Sequence, residues 1–198
     1  MYPNPRKTTS IRRLGAVDIA ALKAAVRAIP EEIWQAENAD KPNRFEALDA
    51  TAHIVFRFVS GLGDWRTSFA RPIWDEWESL IMPVLRAATA DYGYANGVFP
   101  RIMLARMPAG GVIQPHRDAN PAAKWPHKIH VPIQTNDQVL FRLGTETHHI
   151  AEGEAAEVNN MGVHAVVNRG PESRIHLIFE YYDADQPDPA WIDAVVSP

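Results

Sequence analysis

From residue 97 onward the sequence is a succession of short β-branched and aromatic runs broken by turn residues, and that rhythm restricts the fold more than anything else in the chain. Strands are expected at 101–107, 112–117, 128–135, 139–143, 147–151, 155–159, 165–168 and 173–182. The breaks between them are Ala109-Gly110-Gly111, Asn136-Asp137, Gly144, Gly153, Asn159-Asn160-Met161-Gly162 and Arg169-Gly170-Pro171. Those residue types set turns, glycine and asparagine by tolerating positive φ and proline by fixing it. About eight short strands at this spacing predict a sandwich or barrel, and a jelly roll fits the count.

Ahead of residue 97 the pattern is mixed. The Ala- and Leu-rich stretch 16–28, closed by Pro30, predicts a helix. Residues 51–59, β-branched and aromatic, predict a strand ending at Gly61. Pro72 suits the first position of a helix in which Ile73, Trp77, Leu80, Ile81 and Val84 recur at helical spacing, and Pro83 within it predicts a kink or junction. The expected architecture is mainly β with flanking N-terminal helices, a double-stranded β-helix (jelly roll, cupin-like). One domain is expected over residues 1–198: a helical or mixed portion at 1–96 packing on the barrel, a jelly-roll core at 97–182 and a tail at 183–198.

Composition narrows the chemistry. There is no cysteine, so disulfides, thiolate zinc sites, iron–sulfur clusters and cysteine nucleophiles are excluded. A bound metal must use His, Asp or Glu, which points to iron, manganese, nickel or zinc. Twenty Lys and Arg against 24 Asp and Glu are interspersed to a net charge of -4, so no basic field for nucleic acid or an anionic membrane is expected. Neither an apolar leader nor a membrane-length apolar run is read, which leads to the expectation of a soluble, cytoplasmic protein.

Within the β-rich half, His116-Arg117-Asp118 puts an imidazole and a carboxylate two residues apart, on one face of a strand. His164, opening the strand at 165–168 after a turn, can add a second imidazole from elsewhere in the sheet. Two imidazoles and a carboxylate on one side of a metal leave the other positions open, the arrangement of non-haem Fe(II) oxygenases. Arg174 follows ten residues after His164, in a strand whose Ile175, Leu177 and Phe179 face one way and whose Arg174, His176 and Ile178 face the other. Its planar fork suits two-point binding of a carboxylate, and an inward Arg one strand from the metal is what a chelating dicarboxylate needs. Each residue alone also has a bland reading: a surface His beside a solvated Asp, a structural His, and an Arg paired with Glu172 or Glu180.

Taken together, His116-Arg117-Asp118, His127-Lys128-Ile129-His130-Val131-Pro132-Ile133-Gln134-Thr135-Asn136, Val158-Asn159-Asn160 with His164, and Ser173-Arg174-Ile175-His176-Leu177-Ile178 resemble the aspartyl/asparaginyl β-hydroxylase family. This is a branch of the Fe(II)- and 2-oxoglutarate-dependent dioxygenases with a double-stranded β-helix fold. The resemblance runs from about Leu104 to Tyr182 and implies His116, Asp118 and His164 as iron ligands. It implies Arg174 as the anchor for the distal carboxylate of 2-oxoglutarate and His130 as a histidine that helps hold the cosubstrate. Fe(II), 2-oxoglutarate and O2 are the implied cofactors, and an amino acid, free, peptidyl or carrier-bound, is the implied substrate class. The stretch from His127 to Asn136 is most similar to members that hydroxylate free proline. The family's vertebrate peptide hydroxylases lack the carboxylate ligand that Asp118 supplies here.

Other residues stay open. His127 is expected at the surface, while His176 could buttress the site or simply fill the core. His148 and His149 point to opposite faces and read as structural; His53 reaches the pocket only if the fold brings it there. Gln134 and Asn159 could fix a substrate or satisfy turn backbone. Trp65, Arg66 and Trp125 could form a lid or wall, Trp74 and Trp77 are expected in the core, and Asp64 and Arg142 stay open between function and surface. Two further functions suit the same scaffold: a cupin-type metal enzyme that does not use 2-oxoglutarate, and a non-catalytic β-sandwich binding module.

Overall fold

In the computed structural model, which describes residues 6–42, 50–60, 65–118 and 123–186, the β-type runs close into two antiparallel sheets. The strands in chain order are β1 Ile11–Ala16, β2 Ala52–Val59, β3 Ser68–Ala70, β4 Gly97–Val98, β5 Ile102–Met107 and β6 Val112–His116. They continue with β7 His127–Gln134, β8 Val139–Leu143, β9 Glu146–His148, β10 Glu154–Val158, β11 His164–Asn168 and β12 Arg174–Asp183. The larger sheet has the order β1-β10-β7-β12-β5-β2-β3, with β4 pairing on β12, and the smaller has the order β6-β11-β8-β9. This is the jelly-roll arrangement the turn spacing predicts. Each strand expected after residue 97 is present, and only the one expected at 147–151 is much shortened, ending at His148. At the β8–β9 turn Gly144 adopts φ +56°, a left-handed conformation that costs a side-chain-bearing residue more.

The larger sheet is covered on both faces, and that decides where the chemistry sits. One face packs under α1 (Ala20–Arg27), α2 (Glu31–Ala39) and α3 (Trp74–Thr89). Leu22, Val26, Trp34, Ile81 and Leu85 from the helices meet Phe56, Leu104, Val131, Leu177 and Phe179 from the strands in one core. The Phe56 ring lies 6.2 Å from Trp74 and 5.7 Å from Trp77. The opposite face looks across at the smaller sheet, where Met107 and Val158 pack against Ile113, Phe141 and Val166. Because β12 is central, almost all of it is buried, and its period of two sends Leu177 and Phe179 to the helices and Arg174 and Ile178 to the gap between the sheets.

The N-terminal third departs from the sequence reading. The helix expected at 16–28 begins only at Ala20, and the residues before it form β1, an edge strand on β10 with Ile11 opposite Val158. Arg12, Arg13 and Gly15 hide that strand, since its outward positions face water. Pro30 closes one helix and starts another: with φ −63° and ψ 151° it precedes α2, which the sequence reading did not contain. Pro83 was expected to mark a kink or junction, yet α3 runs from Trp74 to Thr89 as one element. Pro83 lies on the exposed side, and the carbonyl deprived of its partner is that of exposed Ser79, where water can satisfy it. No helix among the described residues is long and apolar enough to cross a membrane. Asp64 and most of the expected tail lie outside the described residues.

Candidate active site

The three residues expected to hold a metal converge at one end of the smaller sheet. β6 ends at His116 and β11 begins at His164, and antiparallel pairing sets the two residues directly opposite each other. Their ring centroids are 4.2 Å apart. Each ring is oriented by a backbone carbonyl: His116 Nδ1–H donates to Gln114 O at 2.8 Å, and His164 Nδ1–H donates to Gly162 O at 3.0 Å. That leaves both Nε2 lone pairs for a metal. Asp118 follows two residues after His116, its backbone N–H held by Asn160 O at 3.0 Å and its Oδ1 3.9 Å from His116 Nε2. One ligand atom from each of the three lies within 4.8 Å of the others.

The electrostatics favour the ligating protonation states. Burial by itself would raise the pKa of Asp118, but Lys128, His164 and His116 together outweigh it and hold the carboxyl well below the usual range. Lys128 Nζ donates to Asp118 Oδ2 at 2.7 Å. Burial pulls His164 down against the attraction of Asp118, so its imidazole is neutral at neutral pH. Two imidazoles and a carboxylate, all presented from one side, are a donor set that fits Fe(II).

Facing the triad from the larger sheet is Arg174, 1% exposed. Its position corrects the expectation of an Arg one strand from the metal: β12 belongs to the opposite sheet, and the cavity lies between. The alternative pairing with Glu180 does not form, because Glu180 is taken by Arg101 at 2.9 Å in a buried ion pair. Among the described residues no carboxylate pairs with Arg174, and its Nε has no hydrogen-bond partner. Burial lowers its pKa to about 9, which still leaves it charged at neutral pH. An unpaired buried cation is costly. The carboxylate of a bound ligand relieves that cost, so the residues present fit 2-oxoglutarate as well as iron. His130, also from the larger sheet, lines the same cavity, together with His53, Lys128 and Ile178.

Several residues fall elsewhere than the sequence reading put them. His127, expected at the surface, is 0% exposed: its Nδ1–H donates to Glu157 at 2.8 Å, and Tyr94 O–H reaches its Nε2 at 2.6 Å. β7 is central in the sheet, so its first residue is covered like the rest. Gln134 and Asn159 serve backbone groups: Gln134 donates to Ser173 O, and Asn159 Oδ1 accepts from the N–H groups of Met161 and Gly162. His148 meets Glu146, His149 bonds Val139 O, Arg142 bonds Gly144 O, and the Trp65 ring packs 5.0 Å from Tyr182. Lys128 was missed as a site residue, although it stands two positions before His130 and so on the same strand face. Lys7 was missed with less signal to find it. It is buried and donates to Ala123 O at 2.7 Å, which Asn160 also bonds at 3.1 Å, and so pins the chain at Ala123.

Comparison with known proteins bears on the whole of this framework. The family model described as Aspartyl/Asparaginyl beta-hydroxylase matches residues 26–184. Among curated proteins, none matches. Solved structures with a similar fold include an oxidoreductase of the 2OG-Fe(II) oxygenase family from Burkholderia pseudomallei, 13% identical over 87% of this chain and 95% of that one, with a TM-score of 0.54. The viral collagen prolyl hydroxylase of Paramecium Bursaria Chlorella virus-1, in complex with 2OG, is 10% identical over 87% of this chain and 95% of its own, with a TM-score of 0.51. A prolyl-4-hydroxylase from Pseudomonas putida is 15% identical over 88% and 93%, with a TM-score of 0.50. At these identities the likeness is one of fold.

Proposed function

The chain belongs to the aspartyl/asparaginyl β-hydroxylase family of Fe(II)- and 2-oxoglutarate-dependent dioxygenases, and from that premise we propose that it hydroxylates an unactivated C–H of an amino acid, free, peptidyl or carrier-bound. The observation that carries the site assignment is the His116–Asp118–His164 cluster facing, across one cavity, a buried Arg174 that no carboxylate pairs with among the described residues. In this reading the three clustered residues hold Fe(II), Arg174 takes the distal carboxylate of 2-oxoglutarate, and His130 lies alongside it. The bound iron and cosubstrate supply, with O2, the oxidising power for hydroxylation, while succinate and carbon dioxide leave.

The chain's own residues prepare that chemistry. The carbonyls of Gln114 and Gly162 keep the Nδ1 protons in place, so both Nε2 atoms are ready as donors before a metal arrives. Lys128 keeps Asp118 ionised and restrains its carboxylate. Ile113, Phe141, Val166 and Ile178 line the cavity with apolar surface, which limits the water that can reach the reacting centre. The family and the stretch from His127 to Asn136 support the amino-acid substrate class.

An anaerobic titration with Fe(II) and then 2-oxoglutarate tests this, read by the visible charge-transfer band of the chelate. One iron per chain and a saturating band are expected, with Asp118→Ala losing the metal and Arg174→Ala weakening the cosubstrate. Succinate release then screens amino acids and peptides. Iron binding without a band would move the assignment to a cupin-type enzyme, and an unchanged apparent 2-oxoglutarate affinity in Arg174→Ala would remove Arg174 from its role.

A further inference from the structure

We infer that His176 is a positioning residue for the cosubstrate, its Nδ1 joining Arg174 and His130 into one preset unit. The inference rests on the proposed role of Arg174 and adds a residue that touches neither iron nor cosubstrate. Strand periodicity puts His176 on the cavity side of β12, two residues from Arg174, and β7 delivers His130 from the next strand. Arg174 Nη2 lies 2.8 Å from His176 Nδ1. A guanidinium can only donate, so His176 Nδ1 must carry a bare lone pair and the ring proton must sit on Nε2. His130 Nδ1 lies 3.4 Å from that same nitrogen. The one lone pair of His176 Nδ1 is already engaged by Arg174, so His130 meets it through a secondary contact. The second contact is the longer and weaker of the two.

Burial, followed by the charge of Arg174, lowers both imidazoles well below the ordinary histidine range, so both stay neutral. A merely structural residue is a poor account of His176. Its Nε2–H is buried without a partner among the described residues, a cost that an aromatic side chain of similar size would avoid. That cost is offset if the ring holds the Arg174 fork in place before a carboxylate arrives. A preset fork loses less freedom on binding. Removing the acceptor should therefore raise the KM for 2-oxoglutarate and leave kcat at saturation little changed.

The tests separate the acceptor from the bulk of the ring. Asparagine places Oδ1 near the position of Nδ1, glutamine reaches toward Nε2, and phenylalanine keeps the ring with no acceptor. His176→Asn is expected to keep the 2-oxoglutarate KM close to wild type, whereas His176→Gln and His176→Phe raise it roughly tenfold, equivalent to about 1.4 kcal/mol. Calorimetric binding of 2-oxoglutarate to the Mn(II)-loaded protein under anaerobic conditions should show the same ranking without turnover. Thermal melts check folding, and if the phenylalanine variant does not fold, the Asn and Gln pair decides. Nitrogen-15 NMR of the metal-free protein should find the proton on Nε2 of His176. Equal affinities for the Asn and Gln variants, or a proton on Nδ1 of His176, would overturn the inference. A wild-type protein that takes metal but no 2-oxoglutarate would instead overturn the functional reading, and this inference with it, whatever the tautomers.

Discussion

At the scale of single residues, Glu157 and Arg174 show two opposite ways of burying a charge. Glu157, 0% exposed, accepts from His127, from Tyr92 O–H at 2.8 Å and from the Thr8 backbone N–H at 3.1 Å. Burial would raise its pKa, but the interaction with His127, together with the hydrogen bonds from Thr8 and Tyr92, outweighs that and holds it below the ordinary carboxylate value. A carboxylate whose folded pKa is depressed adds stability that is complete above its unfolded pKa and is lost as pH falls through the folded one. Urea unfolding at pH 7 and pH 3.5 should therefore show a loss of stability in acid that is smaller in Glu157→Gln. The variant should also start lower at pH 7, because a buried charged acceptor has been replaced. Identical acid losses in the two proteins would mean that this carboxylate does not carry the pH dependence. Among the described residues Arg174 has no such set, only His176, a contrast that supports its proposed role as a ligand anchor.

At the scale of elements, strand position outweighs local pattern. β7 and β12 are central and covered on both faces, so His127 and Arg174 are buried although polar residues so near a strand start are usually wet. β1 is an edge strand in which Arg12, Arg13, Gly15 and Ala16 are all exposed, so its arginines stay solvated. Helix α3 tolerates Pro83 because that residue is on its exposed side, while Ile81, Val84, Leu85 and Ala88 pack on the core. The ring still removes one helical hydrogen bond, and alanine restores it. Pro83→Ala should raise the stability by up to about 3 kcal/mol, seen as a higher Tm in differential scanning calorimetry. An unchanged or lower Tm would show that the packing of α3 depends on the local geometry proline imposes.

At the scale of the whole molecule, the site exists only because two sheets face each other. Its proposed metal ligands belong to β6, the residues just after it, and β11; its proposed cosubstrate anchor belongs to β12 in the other sheet. Metal alone should brace the smaller sheet, and 2-oxoglutarate with metal should tie both sheets together. Ligands that bind only the folded state stabilise it by mass action, about 2.7 kcal/mol at a hundredfold excess over Kd. Anaerobic thermal melts with Mn(II), and with Mn(II) plus 2-oxoglutarate, are expected to give two successive increases in Tm. Arg174→Ala should keep the first and lose most of the second. Retention of the full second increase would place the cosubstrate's anchor elsewhere.

What the sequence determines by itself is what depends on neighbours a few residues apart. A period of two marks strands, glycine and asparagine mark the turns between them, and His116 with Asp118 sits on one strand face because they are two residues apart. From these local rules the jelly roll is legible, and so, with the resemblance, are His116, Asp118, His164, Arg174 and His130. What lies across a sheet or between sheets is decided by tertiary structure alone, because strand order is not written in local periodicity. So the sequence reading put Arg174 one strand from the metal, and the fold puts it across the cavity from His116 and His164, in the other sheet. It left His127 in water, and the fold seals it against Glu157. Lys7 illustrates the same limit at its longest range: its carbonyl partner, Ala123, is 116 residues away, a distance over which only the closed fold brings donor and acceptor together.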